Sequence, residues 1–383
     1  MTTAEPGRLA ASVHHHGRHD ALIDTPPHAA PGKVDAIIVP TARSAKEMAY
    51  AVNLAKRLGC VLVALCSRWS IFTEVVKVAR PFGTEVIVID ARRLPPGVLP
   101  RFSTDRLLAG TRFYRTTDTS QKRNLGLLIA RLSGWERVAF LDDDITIPEP
   151  SDLKVAAGLT DRYAGVGLQI DPRSPSFPDN SVVCHAYRDA GGDQGMFVGG
   201  GALVVGSASM TSFFPNIYNE DWFFLLGEDN LRPVTMVGRA LQRPYDPYED
   251  GSRAQVEELG DCLAEGLFWL FDNGGSIQDA DAVFWQSFLA RRISFIADVV
   301  AMVNRMPGGG GKRLRMLAAL KAARDRSERI KPDLCTQFVA RWRNDRVTWR
   351  NHVDELQERH RVKNAEKVLT TLGLTGQSRY LSS

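Results

Sequence analysis

The stretch Arg137-Val138-Ala139-Phe140-Leu141-Asp142-Asp143-Asp144 decides how the rest of the chain is read. Its apolar run has the length of a buried strand, and it ends without a break in three carboxylates. Outward from it, Val34–Val39, Val61–Leu65 and Glu85–Asp90 read as further strands, the first stopped by Pro40. Helical patterns lie between them. Ser44, with Glu47 three residues on, forms a capping box for a helix carrying Met48, Ala51, Val52, Ala55 and Leu58 on one face and ending at Gly59. Ile71–Ala79 and Gln121–Leu132 are the next two. Strand alternating with helix predicts an α/β fold: a Rossmann-like, mostly parallel sheet flanked by helices. Ligands of such sheets bind beyond the carboxyl ends of the strands, which is where the aspartates fall. Further on, Gly199-Gly200-Gly201 opens the apolar run Ala202–Val205, and Asn219-Glu220-Asp221-Trp222 follows an aromatic turn. From about Ala254 the pattern is helical, interrupted at Asn273-Gly274-Gly275 and at Gly308–Gly311. The expected organisation is a flexible leader over 1–33, an α/β domain over 34–250 and a mainly helical region over 251–383.

The chain has 383 residues, 44% hydrophobic and 24% charged, which excludes a disordered or fibrous protein. Its net charge of +4 hides an asymmetry. Arg305–Ser383 holds 18 basic and 8 acidic side chains, a net +10, so the preceding residues carry −6. Five scattered cysteines, Cys60, Cys66, Cys184, Cys262 and Cys335, form no CxxC pair and suit neither a disulfide framework nor a zinc site. No apolar stretch reaches the roughly 18 residues that span a bilayer, and the longest, Ile293–Val303, contains Asp298. The first 33 residues carry His14-His15-His16 and several prolines but no apolar signal run, so a solvated tail and a cytoplasmic home are expected.

Three adjacent carboxylates at a strand end repel one another unless something offsets their charge. Mg²⁺ or Mn²⁺ is the natural remedy, because both take oxygen ligands and commonly bind through one or two carboxylates and a substrate diphosphate. In an extended segment Asp142 and Asp144 face one side and Asp143 the other. The plainer alternative is a solvated acidic turn.

Four segments in series resemble the nucleotide-sugar glycosyltransferases of the GT-A fold, most of all family 2, over roughly Val34 to Arg243. Ile38-Val39-Pro40-Thr41-Ala42-Arg43 is similar to the family's strand-to-loop segment at the nucleotide, and Ser120-Gln121-Lys122-Arg123-Asn124-Leu125-Gly126 to its Arg-Asn-x-Gly helix start beside the diphosphate. Phe140-Leu141-Asp142-Asp143-Asp144-Ile145 looks like the Asp-x-Asp motif, and the glycine run with Asn219-Glu220-Asp221-Trp222 looks like the segment supplying the base. The resemblance implies a metal-dependent, inverting transfer of a sugar from a nucleoside-diphosphate sugar to an acceptor hydroxyl. Under it Asp144 binds the metal, and Asp142 shares the metal or reaches the ribose. Pro40, Thr41, Arg43, Lys122, Arg123, Asn124 and Asp143 surround the donor, while Gly200 and Gly201 let backbone approach it. Asp221 is the general base and Glu220 the alternative. The family's acidic residue after the second strand is missing from Leu65-Cys66-Ser67-Arg68, and Asp90 is the expected substitute. His185 and Glu228-Asp229 read as structural, and Trp222 to Phe224 as core.

Other readings compete. A sugar-phosphate nucleotidyltransferase calls for a Gly-rich basic loop after the first strand, which Pro40-Thr41-Ala42-Arg43-Ser44 lacks. A glycoside hydrolase has no need of the aspartate triplet, and a non-catalytic scaffold would bind a polyanion through the basic end. There Trp342 and Trp349, among Arg341, Arg343, Arg346 and Arg350, offer charge and stacking to a nucleic acid or another anionic acceptor, against the plainer reading of a solvated helix.

Overall fold

The computed structural model describes residues 19–170, 180–193, 195, 197–308, 310–360 and 363–382. The strands are β1 (Ala36–Thr41), β2 (Val61–Cys66), β3 (Val86–Asp90), β4 (Arg137–Leu141), β5 (Ile145–Thr146), β6 (Gly165–Ile170), β7 (Ala202–Gly206), β8 (Val234–Gln242) and β9 (Ser378–Leu381). The helices are α1 (Met48–Leu58), α2 (Phe72–Ala79), α3 (Ser103–Leu108), α4 (Thr119–Ser133), α5 (Ser151–Leu159), α6 (Val182–Asp189), α7 (Glu220–Leu225), α8 (Ser252–Asp272), α9 (Ala282–Arg305), α10 (Gly311–Ser327), α11 (Pro332–Arg359) and α12 (Ala365–Thr371). The protein is α/β and 51% helical.

Two compact units share the chain. One comprises Ala21–Asp179, Phe197–Tyr245 and Phe338–Ser383, and the other Met1–Asp20, Asn180–Met196 and Asp246–Gln337. The C-terminal 46 residues therefore belong with the sheet, where a cut at 250 would exclude them. The strand order is β5-β8-β6-β7-β4-β1-β2-β3-β9. The chain steps from β1 through β2 to β3 in parallel, then jumps back to place β4 on the other side of β1, also parallel. That reversal makes the β1/β4 boundary the topological switch point, the position at which open α/β sheets bind ligands.

The sheet is mostly parallel to mixed, with β4-β1-β2-β3 and the β6–β8 pair parallel. β7 runs antiparallel between β4 and β6, β5 is antiparallel to β8, and β9 closes the β3 edge antiparallel. A short apolar run such as Ala202–Val205 has no direction written into it; the path of the connection decides. Pro40 lies inside β1 instead of ending it, paired opposite Leu65. The ladder to β4 stops at Ile38, before proline reaches it. Ser44 starts only a 3₁₀ turn and makes no side-chain cap, and Glu47 pairs with Arg243 instead of completing a capping box.

Residues 24–32 are not a flexible leader. Asp24 donates its N–H to Val234 O at 2.9 Å, and Gly32 donates to Lys154 O at 2.8 Å. A Cβ on Gly158 would sit 2.0 Å from Ala30 O, so this glycine is what lets the segment lie on α5. Met1–Arg18, with the three histidines, lie outside the described residues.

In the helical unit, α6, α9 and α10 bury an apolar cluster around Val183, Phe295, Val299 and Leu320. α8 buries acids as well. Arg292, fully buried, donates to Glu258 (Nε–Oε1 2.8 Å) and Asp261 (Nη2–Oδ2 2.6 Å). His19 is hydrogen-bonded through Nε2 to Glu265 at 3.0 Å and through Nδ1 to Asp272. Burial alone lowers the imidazole pKa, but the bonds and charges of the two carboxylates outweigh it and raise it from 6.5 to about 9. A raised value stabilises the fold fully below the unfolded 6.5 and loses that contribution as pH climbs through 9. The unfolding free energy should therefore fall by up to about 3 kcal/mol between pH 6 and pH 9.5, and the fall should vanish in His19→Gln. An equal fall in the variant would assign the loss to another group.

Candidate active site

The carboxyl ends of β1 and β4 are joined by Asp143. Its Oδ2 accepts from Thr41 Oγ1 at 2.8 Å, from Ala42 N at 3.2 Å and from Arg43 N at 3.3 Å, while Oδ1 pairs with the Arg43 guanidinium. Four donors on one carboxylate make it the clamp of the β1 loop. Asp144 takes the other Arg43 nitrogen, Nη2, at 2.9 Å. Arg43 is 45% exposed, so the charge it neutralises lies at a surface that solvent and ligands reach.

Asp142 points to Arg123 instead; the three aspartates lie in a turn after β4 and not in an extended segment, so Asp144 joins Asp143 on Arg43 and does not share a side with Asp142. Asp142 Oδ1 accepts from Arg123 Nη2 at 3.0 Å, and its N–H donates to Gly201 O at 2.9 Å. Burial pushes its carboxyl up to about 7; Arg123 opposes that shift, and the charges of Asp144 and Asp143 add to it. Arg123 projects from α4, buried, with its guanidinium 5.6 Å over the Phe214 ring. Its Nη1 donates to Glu220 Oε1 at 2.9 Å, and Arg115 Nη1 donates to Glu220 Oε2 at 3.0 Å. A Cβ on Gly200 would fall 2.4 Å from Arg123 Nη1, which explains glycine there. Gly126 serves the same helix, because a Cβ would meet Ile38 Cγ2 at 2.6 Å and lift α4 off β1.

Asp221 opens α7, following Asn219 in the left-handed region (φ 59°). Its Oδ2 accepts the Gly200 N–H, and its Oδ1 accepts the Trp222 N–H at 3.0 Å. Burial raises its pKa first, and the neighbouring Glu220 charge raises it further, against the pull of Arg123 and the two backbone donors. Thus Arg43, Arg123, Asp142, Asp144, Gly200, Gly201, Glu220 and Asp221 come together from five distant segments.

Other expected site residues do different work. Lys122 is 2% exposed and spends its ammonium on Thr41 O (3.0 Å), Ser67 Oγ (2.9 Å) and Asp118 Oδ1 (3.0 Å), so it braces the loops after β1 and β2. It is not a free phosphate ligand. Asn124 is likewise structural: its Nδ2 donates to Phe214 O and its Oδ1 accepts from Phe214 N, both at 2.8 Å. Pro40 is buried in β1. Asp90 ends β3, with its carboxylate on Arg92 at the N–H (3.1 Å), Nε (2.8 Å) and Nη2. The Arg92 hydrogen bond lowers its pKa. Trp222, Phe223 and Phe224 are core, and Glu228 pairs with Arg350 at the surface. His185 belongs to the helical unit, where Asn180 N donates to its Nε2 at 3.2 Å and Arg188 Nη2 lies 2.9 Å from its Nδ1.

The basic end offers no stacking surface at its tryptophans. Trp342 and Trp349 are fully buried; Trp342 meets the edge of Phe223 at 5.5 Å, and Trp349 Nε1 donates to Met210 O at 3.1 Å. Asp345, on the same helix, accepts from Ser103 N at 2.7 Å and Thr104 N at 2.8 Å, capping α3. All five cysteines are buried and free. Arg115 went unnoticed in the sequence because its partner is 105 residues away.

Whether a divalent cation fits can be judged from these partners. No group of three or more His, Cys, Asp or Glu side chains among the described residues is arranged to hold a metal ion. Asp143 is committed to its clamp, which leaves Asp144 and Asp142, each facing an arginine. That pair suits a cation arriving with its own phosphate oxygens, and does not suit one held by protein alone. Among the described residues no helix is long and apolar enough to cross a membrane. Compared with protein-family models and with curated proteins, the chain matches none.

Proposed function

We propose that the chain is a GT-A-type glycosyltransferase that moves a sugar from a nucleoside-diphosphate donor to an acceptor hydroxyl with inversion. The observation that carries this reading is the junction of an acidic strand end with a buried arginine and a second carboxylate pair at the switch point of the sheet. Arg123 touches Asp142 on one side and Glu220 on the other, beside Asp221. The donor diphosphate would lie at the β1/β4 edge, where Arg43 offers a half-exposed cationic side chain. Asp144, with Asp142, would hold Mg²⁺ or Mn²⁺, whose chemistry there is to neutralise charge on the departing diphosphate. Arg123 holds Glu220 and Asp142 in place through its two ends, and Gly200 leaves room for that guanidinium beside the backbone.

In the transfer the acceptor oxygen forms a bond to the anomeric carbon as the bond from that carbon to the diphosphate breaks. Asp221 takes the acceptor proton. Its raised pKa favours that role, because a base works best when its conjugate acid lies near the working pH. Two backbone N–H donors hold the carboxylate in position.

The test is nucleotide release from UDP- and GDP-sugars by the purified chain, with and without Mn²⁺. Turnover is expected only with the cation. Asp144→Ala should remove the Mn²⁺-dependent part of nucleotide binding, measured by titration calorimetry, while Asp90→Ala leaves it within about twofold. No turnover and no cation-dependent nucleotide binding would overturn the reading.

A further inference from the structure

A cavity of about 610 Å³ lies in the sheet unit between the loop after β3, the residues leading into α4 and the segment around Asn216. Its size is that of a small-molecule site, and it is lined by residues the transfer step does not use. Arg93 is exposed and has no ion-pair partner among the described residues. Arg115 uses Nη1 on Ile217 O and Glu220, but its Nε is buried without an acceptor. Thr117 Oγ1 and Asn216 Oδ1 are likewise buried without partners. These three atoms are shut off from water, so the polar character of the cavity comes from the side chains that line it, Arg93 and Arg115 among them.

The charges favour an anion. Of the two lining carboxylates, Asp118 is tied to Lys122 at 3.0 Å. Burial and the charge of Asp345 push Asp105 up to about 6. Arg92 is held by Asp90, which leaves Arg93 and the unused face of Arg115 as the forks for a phosphate or carboxylate. Phe102, Tyr114 and Pro95 supply apolar and aromatic wall beside the polar Thr116, Ser120, Gln121 and Asn124. The occupant is therefore amphipathic, with a ring against the aromatic wall and an anionic group on the arginines.

We propose that this cavity binds the acceptor, and that the acceptor is a small ring compound carrying a phosphate or a carboxylate. The name acceptor rests on the transferase reading. The link between the two sites is Arg115, which lines the cavity and donates to Glu220, the residue next to the proposed base.

The full chain is titrated by calorimetry with phenyl phosphate, benzoate and inorganic phosphate, and separately with UDP and GDP in Mn²⁺. At least one ring anion is expected to bind saturably, more tightly than inorganic phosphate, and together with the nucleotide. Preference for phenyl phosphate marks a phosphorylated acceptor, and preference for benzoate a carboxylated one. Arg93→Glu, at an exposed position, should weaken ring-anion binding at least tenfold with nucleotide binding unchanged, and Tyr114→Ala should weaken the ring anions but not inorganic phosphate. Absence of saturable ring-anion binding, or binding indifferent to Arg93→Glu, overturns the proposal. Competition between ring anion and nucleotide would make the cavity part of the donor site and overturn it as well. Arg93-dependent anion binding without any nucleotide binding would instead keep the anion site and remove the transferase reading.

Discussion

Replacing Arg123 with Met is expected to lower stability by about 3 kcal/mol, the lower end of the 3–5 kcal/mol typical of removing one partner from a buried ion pair. Two facts place it at that end. Arg115 still holds Glu220 at 3.0 Å, and Asp142 is 34% exposed, so water screens part of its charge. The loss should depend on pH in a definite direction. Asp142 already titrates near 7 in the folded protein against 3.8 as a free side chain. A raised carboxyl favours the fold at low pH, and the advantage disappears as pH rises through the folded value. Without the guanidinium that value rises further, so the deficit of Arg123→Met relative to the parent should be larger at pH 8 than at pH 5. Urea midpoints at the two pH values measure it. A deficit that does not change with pH would mean that the arginine acts through packing on Phe214 and not through charge. Transfer should disappear in the same variant, since Asp142, Glu220 and Asp221 all lose the cation that orders them.

Asp221→Asn is expected to reduce sugar transfer by about 10²–10⁴-fold, the usual contribution of a positioned general base. Donor affinity should remain unchanged, because the carboxylate bonds to Gly200 and Trp222 and not to Arg43 or Asp144. The parent should also lose activity as pH falls through the raised pKa of Asp221, a limb lying above the ordinary aspartate range, since burial and Glu220 both disfavour its charged form. The residual activity of the variant should lack that limb. Parent-like rates in Asp221→Asn, together with a collapse in Glu220→Gln, would move the base to Glu220. Glu220 has the weaker claim: both of its oxygens already accept from arginines.

The contrast between Lys122 and Arg123 shows how far local pattern reaches. Both stand at the start of one helix beside an acidic strand end, and the sequence offers the same basic character for each. In the fold, one residue of rotation on α4 sends Lys122 into the β1 and β2 loops and Arg123 to the carboxylates. Asn124 is separated from ligand chemistry in the same way, by a reciprocal pair of bonds to the backbone of a residue 90 positions later. No spacing rule reports such partners.

β9 makes the same point for the sheet. Ser378–Leu381 is too short and too mixed to announce a strand, and it becomes one because β3 presents an open edge. Trp342 and Trp349 look like stacking residues among arginines until the helix that carries them buries both against Phe223 and Met210.

The sequence by itself determined the α/β class, the first four strands to within two residues, and the positions of the carboxylates beyond β4. Those features follow from local periodicity, burial of apolar runs and the single exit of a strand into a charged loop. The tertiary structure alone decided the direction of β7, the return of residues 338–383 to the sheet unit, and the pairing of Asp142 with Arg123 and of Asp143 and Asp144 with Arg43. Each of these depends on partners some twenty to several hundred residues away, and such contacts are set by how the layers pack, which no local window of sequence contains.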